Sequence, residues 1–185
     1  MRDRRIFDEN LSYFLTSTTV DWIPLFTRPT YKDIIIDSLN YCVANKGLIV
    51  YAWVLMTDHL NLLAKSQEGI KLSGVMRDFK RFTAVTLHKQ IQQKTESRKY
   101  WMNWICDQHK FYHKKNQQFQ IWQPGNYAIP ITENKDFDIK LNYIHQNPVK
   151  QKHVKNPEDW IYSSATDYAG GKGPVVIEKI NFFEY

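Results

Sequence analysis

The chain has 185 residues and a mass of 22.1 kDa, enough for one domain of ordinary size. Hydrophobic residues make up 43% and aromatics 15%, so a core can form and intrinsic disorder is excluded. Lys and Arg number 25 against 19 Asp and Glu, and the resulting charge of +6 favours a polyanionic partner without naming one.

Leu11 to Val20, rich in Tyr, Phe and Thr, reads as a first strand. Thr30 to Asn45 reads as a helix with Ile34, Leu39 and Val43 on its apolar side and Gly47 just past its end. Leu48 to Met56 is apolar at both parities, as in a strand buried on both faces. Gly47 to Met56 is also the longest apolar stretch, about half of the ~20 residues a membrane helix needs. After a turn at Thr57-Asp58, His59 to Lys65 alternates as the second strand of a hairpin. Leu72 to about Gln93 is a long amphipathic helix with Leu72, Val75, Met76, Phe79, Phe82 and Val85 at helical spacing. Arg77, Lys80 and Arg81 lie towards its exposed side, where they can contact phosphates.

Thr95 to Gln118 is polar and basic without a clean period and reads as irregular. Phe119 to Gln123 reads as a short strand into the Pro124-Gly125 turn. Thr132 is placed to cap a helix running towards Gln146, which Pro148 should end at Asn147. The remainder holds Asn156-Pro-Glu-Asp-Trp, Gly170-Gly-Lys-Gly and a short apolar stretch from Val175 to Ile180. The order of elements predicts a single α+β domain of ferredoxin-like type, an antiparallel sheet with packed helices. Its core would span about 11–168, with residues 169–185 as a tail. The charged N-terminus lacks a following apolar block and two cysteines cannot make a disulfide framework, so a reduced, cytoplasmic protein with no membrane contact is expected.

Charge is concentrated between Arg77 and Lys155, where 15 basic residues face 6 acidic ones. There, Arg98-Lys-Tyr-Trp-Met-Asn-Trp and Lys110-Phe-Tyr-His-Lys-Lys interleave cations with rings, a pattern suited to single-stranded nucleic acid and equally to a solvated charged face. His59 and Asn61 share one face of their strand, and an imidazole with an amide oxygen can bind a divalent metal or serve as ordinary hydrogen-bonding groups. Tyr143 and Asn147, four apart, share a helix face with Lys140 beside them; a phenol so placed can be a nucleophile or a plain boundary Tyr. Cys106, His109 and His113 have the spacing of a partial zinc site without a clear fourth ligand. Gly170-Gly-Lys-Gly173-Pro lacks the spacing and the Ser or Thr of a phosphate loop.

Taken together, Tyr51-Ala-Trp-Val-Leu-Met-Thr-Asp-His-Leu-Asn-Leu-Leu, Leu72-Ser-Gly-Val-Met-Arg-Asp-Phe-Lys-Arg-Phe-Thr, Ile121-Trp-Gln-Pro-Gly-Asn-Tyr, Leu141-Asn-Tyr-Ile-His-Gln-Asn-Pro-Val-Lys and Pro157-Glu-Asp-Trp-Ile-Tyr-Ser-Ser-Ala resemble, in order, the single-tyrosine transposases of the HUH nuclease superfamily, especially the REP-associated tyrosine transposases. The resemblance implies a ferredoxin-like fold that binds hairpins in single-stranded DNA and cuts and rejoins a strand through a 5′-phosphotyrosine. It implies Tyr143 as nucleophile and His59, Asn61 and Asn147 as ligands of Mg²⁺ or Mn²⁺, and it allows a homodimer. Arg77, Lys80, Arg81 and, more weakly, Lys150 are the expected DNA contacts. The chain departs from the family motif at Asn61, where a second histidine is usual. The motif therefore leaves two readings, an active nuclease or a catalytically impaired DNA-hairpin-binding protein.

Overall fold

A computed structural model describes residues 6, 8–108, 119–125 and 127–180. Four strands, β1 (Ser12–Thr18), β2 (Leu48–Leu55), β3 (His59–Ser66) and β4 (Tyr127–Ile131), pair in the order β2-β3-β1-β4, every pair antiparallel. The helices are α1 (Pro29–Asn45), α2 (Leu72–Ile91), α3 (Lys99–Gln108), α4 (Asn134–Lys150) and the short α5 (Ala165–Tyr168). The βαββαβ order with β1 and β3 in the centre is the expected ferredoxin-like arrangement, completed by α4.

Side-chain alternation along the strands sends two sets of residues to two faces. Tyr13, Leu15, Leu60, Leu62 and Ala64 join α1 and α2 in the larger core. Phe14, Leu63, Ala52 and Val54 face the other way, against Phe137 and Ile144 of α4. Helices on both sides explain why β2 is apolar at both parities, and a bulge between Val50 and Ala52 adjusts its register to β3.

Three expectations are corrected. The stretch read as irregular contains α3, whose Met102 and Cys106 are buried beneath a polar and aromatic outer side that obscures the helical period. Phe119 to Gln123 is not a strand but a single bridge between Trp122 and Thr19, and the fourth strand is Tyr127–Ile131. As an edge strand, β4 tolerates Pro130, a residue without an N–H. Helix α4 runs through Pro148 to Lys150 and begins after Glu133, with no side-chain cap from Thr132. Pro148 falls in the last turn and is buried, and beyond it Gln151 N still donates to Asn147 O at 3.0 Å.

Beyond Tyr168 the chain lies back on the domain. Gly173 N donates to Asp167 Oδ1 at 2.8 Å, Val176 N donates to Asn40 Oδ1 at 3.0 Å, and Glu178 N donates to Val50 O at 2.8 Å. The glycine-rich segment thus folds around a buried carboxylate. Among the described residues no helix is long and apolar enough to cross a membrane.

Candidate functional site

The site forms where α4 crosses the β3 face that carries His59, Asn61 and Leu63. Ile144 is fully buried on the helix side that docks on the sheet, and its neighbours Tyr143 and Asn147 are thereby set against the strands. His59 lies opposite Thr18 and Asn61 opposite Thr16 in the β1–β3 ladder.

A chain of hydrogen bonds links the polar groups. Asp58 Oδ1 lies 2.6 Å from His59 Nδ1, and His59 Nε2 lies 3.3 Å from Asn147 Nδ2. Asn147 Oδ1 accepts from Gln151 Nε2 at 3.1 Å. This network assigns the proton to Nδ1, where Asp58 accepts it, and leaves the Nε2 lone pair facing Asn147. Asn61 is almost fully buried. Its Oδ1 accepts from Thr16 Oγ1 at 2.8 Å, and its Nδ2 has no partner.

Tyr143 is 41% exposed, and its ring meets Phe14 edge-on with centroids 5.6 Å apart. Lys140 Nζ lies 6.0 Å and Lys150 Nζ 5.7 Å from the Tyr143 ring centroid. Two ammonium groups therefore flank a solvent-accessible phenol. That setting attracts a phosphate.

The residues that could hold a divalent cation are His59, Asn61 and Asn147; they would offer one ring nitrogen and two amide oxygens once the Asn147 amide, whose Nδ2 faces His59 and whose Oδ1 is bonded to Gln151, turns over. The orphaned Asn61 Nδ2 supports the fit: turning the amide over gives Thr16 Oγ1 an N–H to accept and leaves Oδ1 at the unfilled position. The set contains no carboxylate, so it suits a hard cation that arrives with a phosphate to supply negative charge. Among the described residues no group of three His, Cys, Asp or Glu could hold a metal. Of the other zinc candidate, His109 and His113 lie outside the described residues, and burial pushes the Cys106 thiol up to about 12.

The basic residues fall into two places. Lys150 joins Tyr143, whereas Arg77, Lys80 and Arg81 sit on α2, which packs against the other face of the sheet. Arg77 pairs with Asp78 at 3.1 Å and stays largely in solvent. Lys80 Nζ donates to Gly125 O at 2.6 Å, which holds the loop before β4. Sequence reasoning did not single out Thr16 or Gln151, and it read Asp58 only as a turn residue. Gln151 had one visible signal, its position four residues after Asn147. The Thr16–Asn61 partnership depends on a ladder across 45 residues.

Comparison with known proteins follows the same outline. Residues 9–105 match the family model described as Transposase IS200 like. A REP-associated tyrosine transposase of Haemophilus influenzae is 37% identical over 115 residues, 60% of this chain and 54% of that protein. The REP-associated tyrosine transposase of Escherichia coli K12 is 39% identical over 56 residues, 30% of this chain and 34% of that protein. The chain thus matches about half or less of the length of these relatives. The structure of a REP-associated tyrosine transposase bound to a REP hairpin superposes with a TM-score of 0.62 at 20% identity, covering 100% of this chain and 95% of the other. The family match covers just over half of the chain and agrees with the fold and the order of the motifs: the chain belongs to the IS200-like transposases.

Proposed function

We propose that the protein binds hairpin-bearing single-stranded DNA and cuts and rejoins it with Tyr143 as the nucleophile. The observation that carries this reading is the meeting of α4 with β3, in which Asn147 Nδ2 comes within 3.3 Å of His59 Nε2 one helical turn beyond Tyr143. Because both belong to one chain, the site needs no second copy to close, and a homodimer is an optional assembly. The relative solved with a REP hairpin supports a hairpin as the DNA class.

In this chemistry the Tyr143 oxygen forms a bond to the scissile phosphorus, and the bond from phosphorus to the upstream 3′ oxygen breaks. The phenol loses its proton to solvent, and the departing oxygen takes one up as a 3′-hydroxyl. The resulting 5′-phosphotyrosine keeps the bond energy, so rejoining is the same step reversed. His59, Asn61 and Asn147 would hold Mg²⁺ or Mn²⁺, which when bound polarises the phosphate and stabilises charge on the leaving oxygen. Lys140 and Lys150 draw the phosphate towards the Tyr143 ring. Arg77, Lys80 and Arg81 neutralise phosphates from α2, the side that Lys80 ties to the approach to edge strand β4.

The test is incubation with hairpin-bearing single-stranded DNA and Mg²⁺ or Mn²⁺, read as a covalent protein–DNA band. The wild type should form the band, and Tyr143→Phe should abolish it while binding the same DNA with nearly unchanged affinity. An undiminished band from that variant would assign the nucleophile elsewhere. A second reading, a hairpin-binding protein without cleavage, draws on one observation: Asn61 replaces an imidazole and its oxygen is occupied by Thr16. Tight hairpin binding with no band in either metal would favour it.

A further inference from the structure

Past the end of β1 lies a group of exposed rings that the chemistry at Tyr143 does not use. On α3, Tyr100 is 87% and Trp104 64% exposed, while Met102 and Cys106 anchor the opposite side. Tyr100 and Trp104, four apart, share one helix face. Helix α3 packs against the turn Val20–Trp22, where the Trp22 indole is 65% exposed. Asp21 and Trp22 both hold left-handed backbone, with φ of 48° and 52°, which bulky L-residues rarely adopt. The turn is held there by Trp22 N donating to Thr19 O at 3.2 Å, Ile23 N donating to Val20 O at 3.1 Å, and Thr19 Oγ1 donating to Ile23 O at 2.9 Å.

Position and charge decide what covers these rings. Thr19 N and Oγ1 donate to the carbonyl oxygen of Asp58 at 2.9 and 3.0 Å, so the turn bearing Trp22 is tied to the residue before His59. At the base of α3, Arg28 and Arg98 share the single carboxylate of Glu96, at 3.4 and 3.1 Å, which leaves one positive charge over within that group of three. The exposed apolar groove between α1 and α2, by contrast, is lined by Asp37, Asp78 and Lys46, with Lys46 3.9 Å from Asp78, and so carries no excess of positive charge. We infer that Trp22, Tyr100 and Trp104 form a stacking surface for unpaired bases of the strand that flanks the hairpin. The inference rests on the DNA reading above and assigns that strand its path off the His59 end of the sheet. Indole and phenol rings offer flat faces to any base, and the guanidinium charge serves the phosphates between them.

The test titrates the full chain, without added metal, against one hairpin carrying unpaired flanks and the same hairpin with blunt ends. The wild type should bind the flanked hairpin more tightly. Tyr100→Ala and Trp104→Ala should each weaken that binding roughly tenfold, the scale of one base lost from one ring, and leave the blunt hairpin unchanged. Trp104→Phe should keep most of the affinity. Equal losses on both DNAs, or none, overturn the inference. So does a double variant whose sedimentation changes while its DNA affinity does not, which would assign the rings to a second copy of the chain. A wild type that binds the blunt hairpin and gains nothing from flanks overturns the stacking surface alone; one that binds neither DNA overturns the hairpin reading as well.

Discussion

At the residue scale, Asp58 and Gln151 turn His59 and Asn147 into an ordered pair. Asp58 accepts the Nδ1–H and so leaves the other ring nitrogen facing the site, while Gln151 holds the Asn147 amide by its oxygen with Nδ2 towards His59. Carboxylate partners of this kind commonly contribute 10- to 100-fold to metal binding or activity. Asp58→Asn should lower the rate of covalent DNA attachment about tenfold, with thermal stability little changed; comparing initial rates of band formation and melting temperatures checks both. Asn61 works in the opposite sense. Asn61→His restores an imidazole where the amide now bonds Thr16, and it should raise band formation, most clearly in Mn²⁺, which accepts nitrogen better than Mg²⁺ does. A metal titration of both proteins measures the gain.

At the element scale, α4 is the part on which the site depends. The helix has two jobs that share one docking face: Ile144 and Phe137 seat it on the sheet, and the seat aims Tyr143 and Asn147. Ile144→Ala should cost about 2–5 kcal/mol by denaturant unfolding, through lost burial and a residual cavity. It should also slow DNA attachment more than Ile139→Ala, an exposed position on the same helix whose stability change should stay within about 0.5 kcal/mol. The helix also shows how local rules yield to packing. Pro148 disfavours helical backbone at Asn147, yet burial of both residues carries α4 one more turn, and that turn delivers Lys150 to Tyr143.

At the scale of the whole molecule, stability should fall in acid in two stages. Burial holds the His145 imidazole down to about 4, where it sits 2.9 Å from Ser164 Oγ and joins α4 to the C-terminal segment. A group whose folded pKa lies below its unfolded value of 6.5 leaves the fold most stable above pH 6.5. That stability is lost as pH falls towards 4, by about 3 kcal/mol at most. Glu96 acts lower down: burial would raise its pKa, but hydrogen bonds from Arg98 and Tyr31 outweigh it and hold the carboxyl near 2. Its contribution is complete above about 4.5 and disappears as pH falls through about 2. Urea unfolding at pH 7, 5.5 and 4 should show the first loss in the wild type, and continuing the series down to about pH 2 should show the second. Glu96→Gln should leave the first loss in place and remove the second.

Much of this protein was legible in its residue order, because periodicity and turn chemistry are local. β1, α1, β2, β3 and α2 start and stop within a few residues of where strand alternation, helical spacing and Gly47 place them. The placing of His59 with Asn61 and of Tyr143 with Asn147 also follows from the repeats of a strand and a helix. What lay beyond reach depends on distant neighbours. Pro130 belongs to a strand because β4 is an edge, Trp122 contributes a bridge because Thr19 lies beside it, and α3 is a helix with one side sunk in a core built from other segments. The sequence by itself determined two pairs of polar residues, each on its own regular element. Only the tertiary structure decided that the pairs face each other, because α4 buries Ile144 on the sheet face from which His59 and Asn61 project.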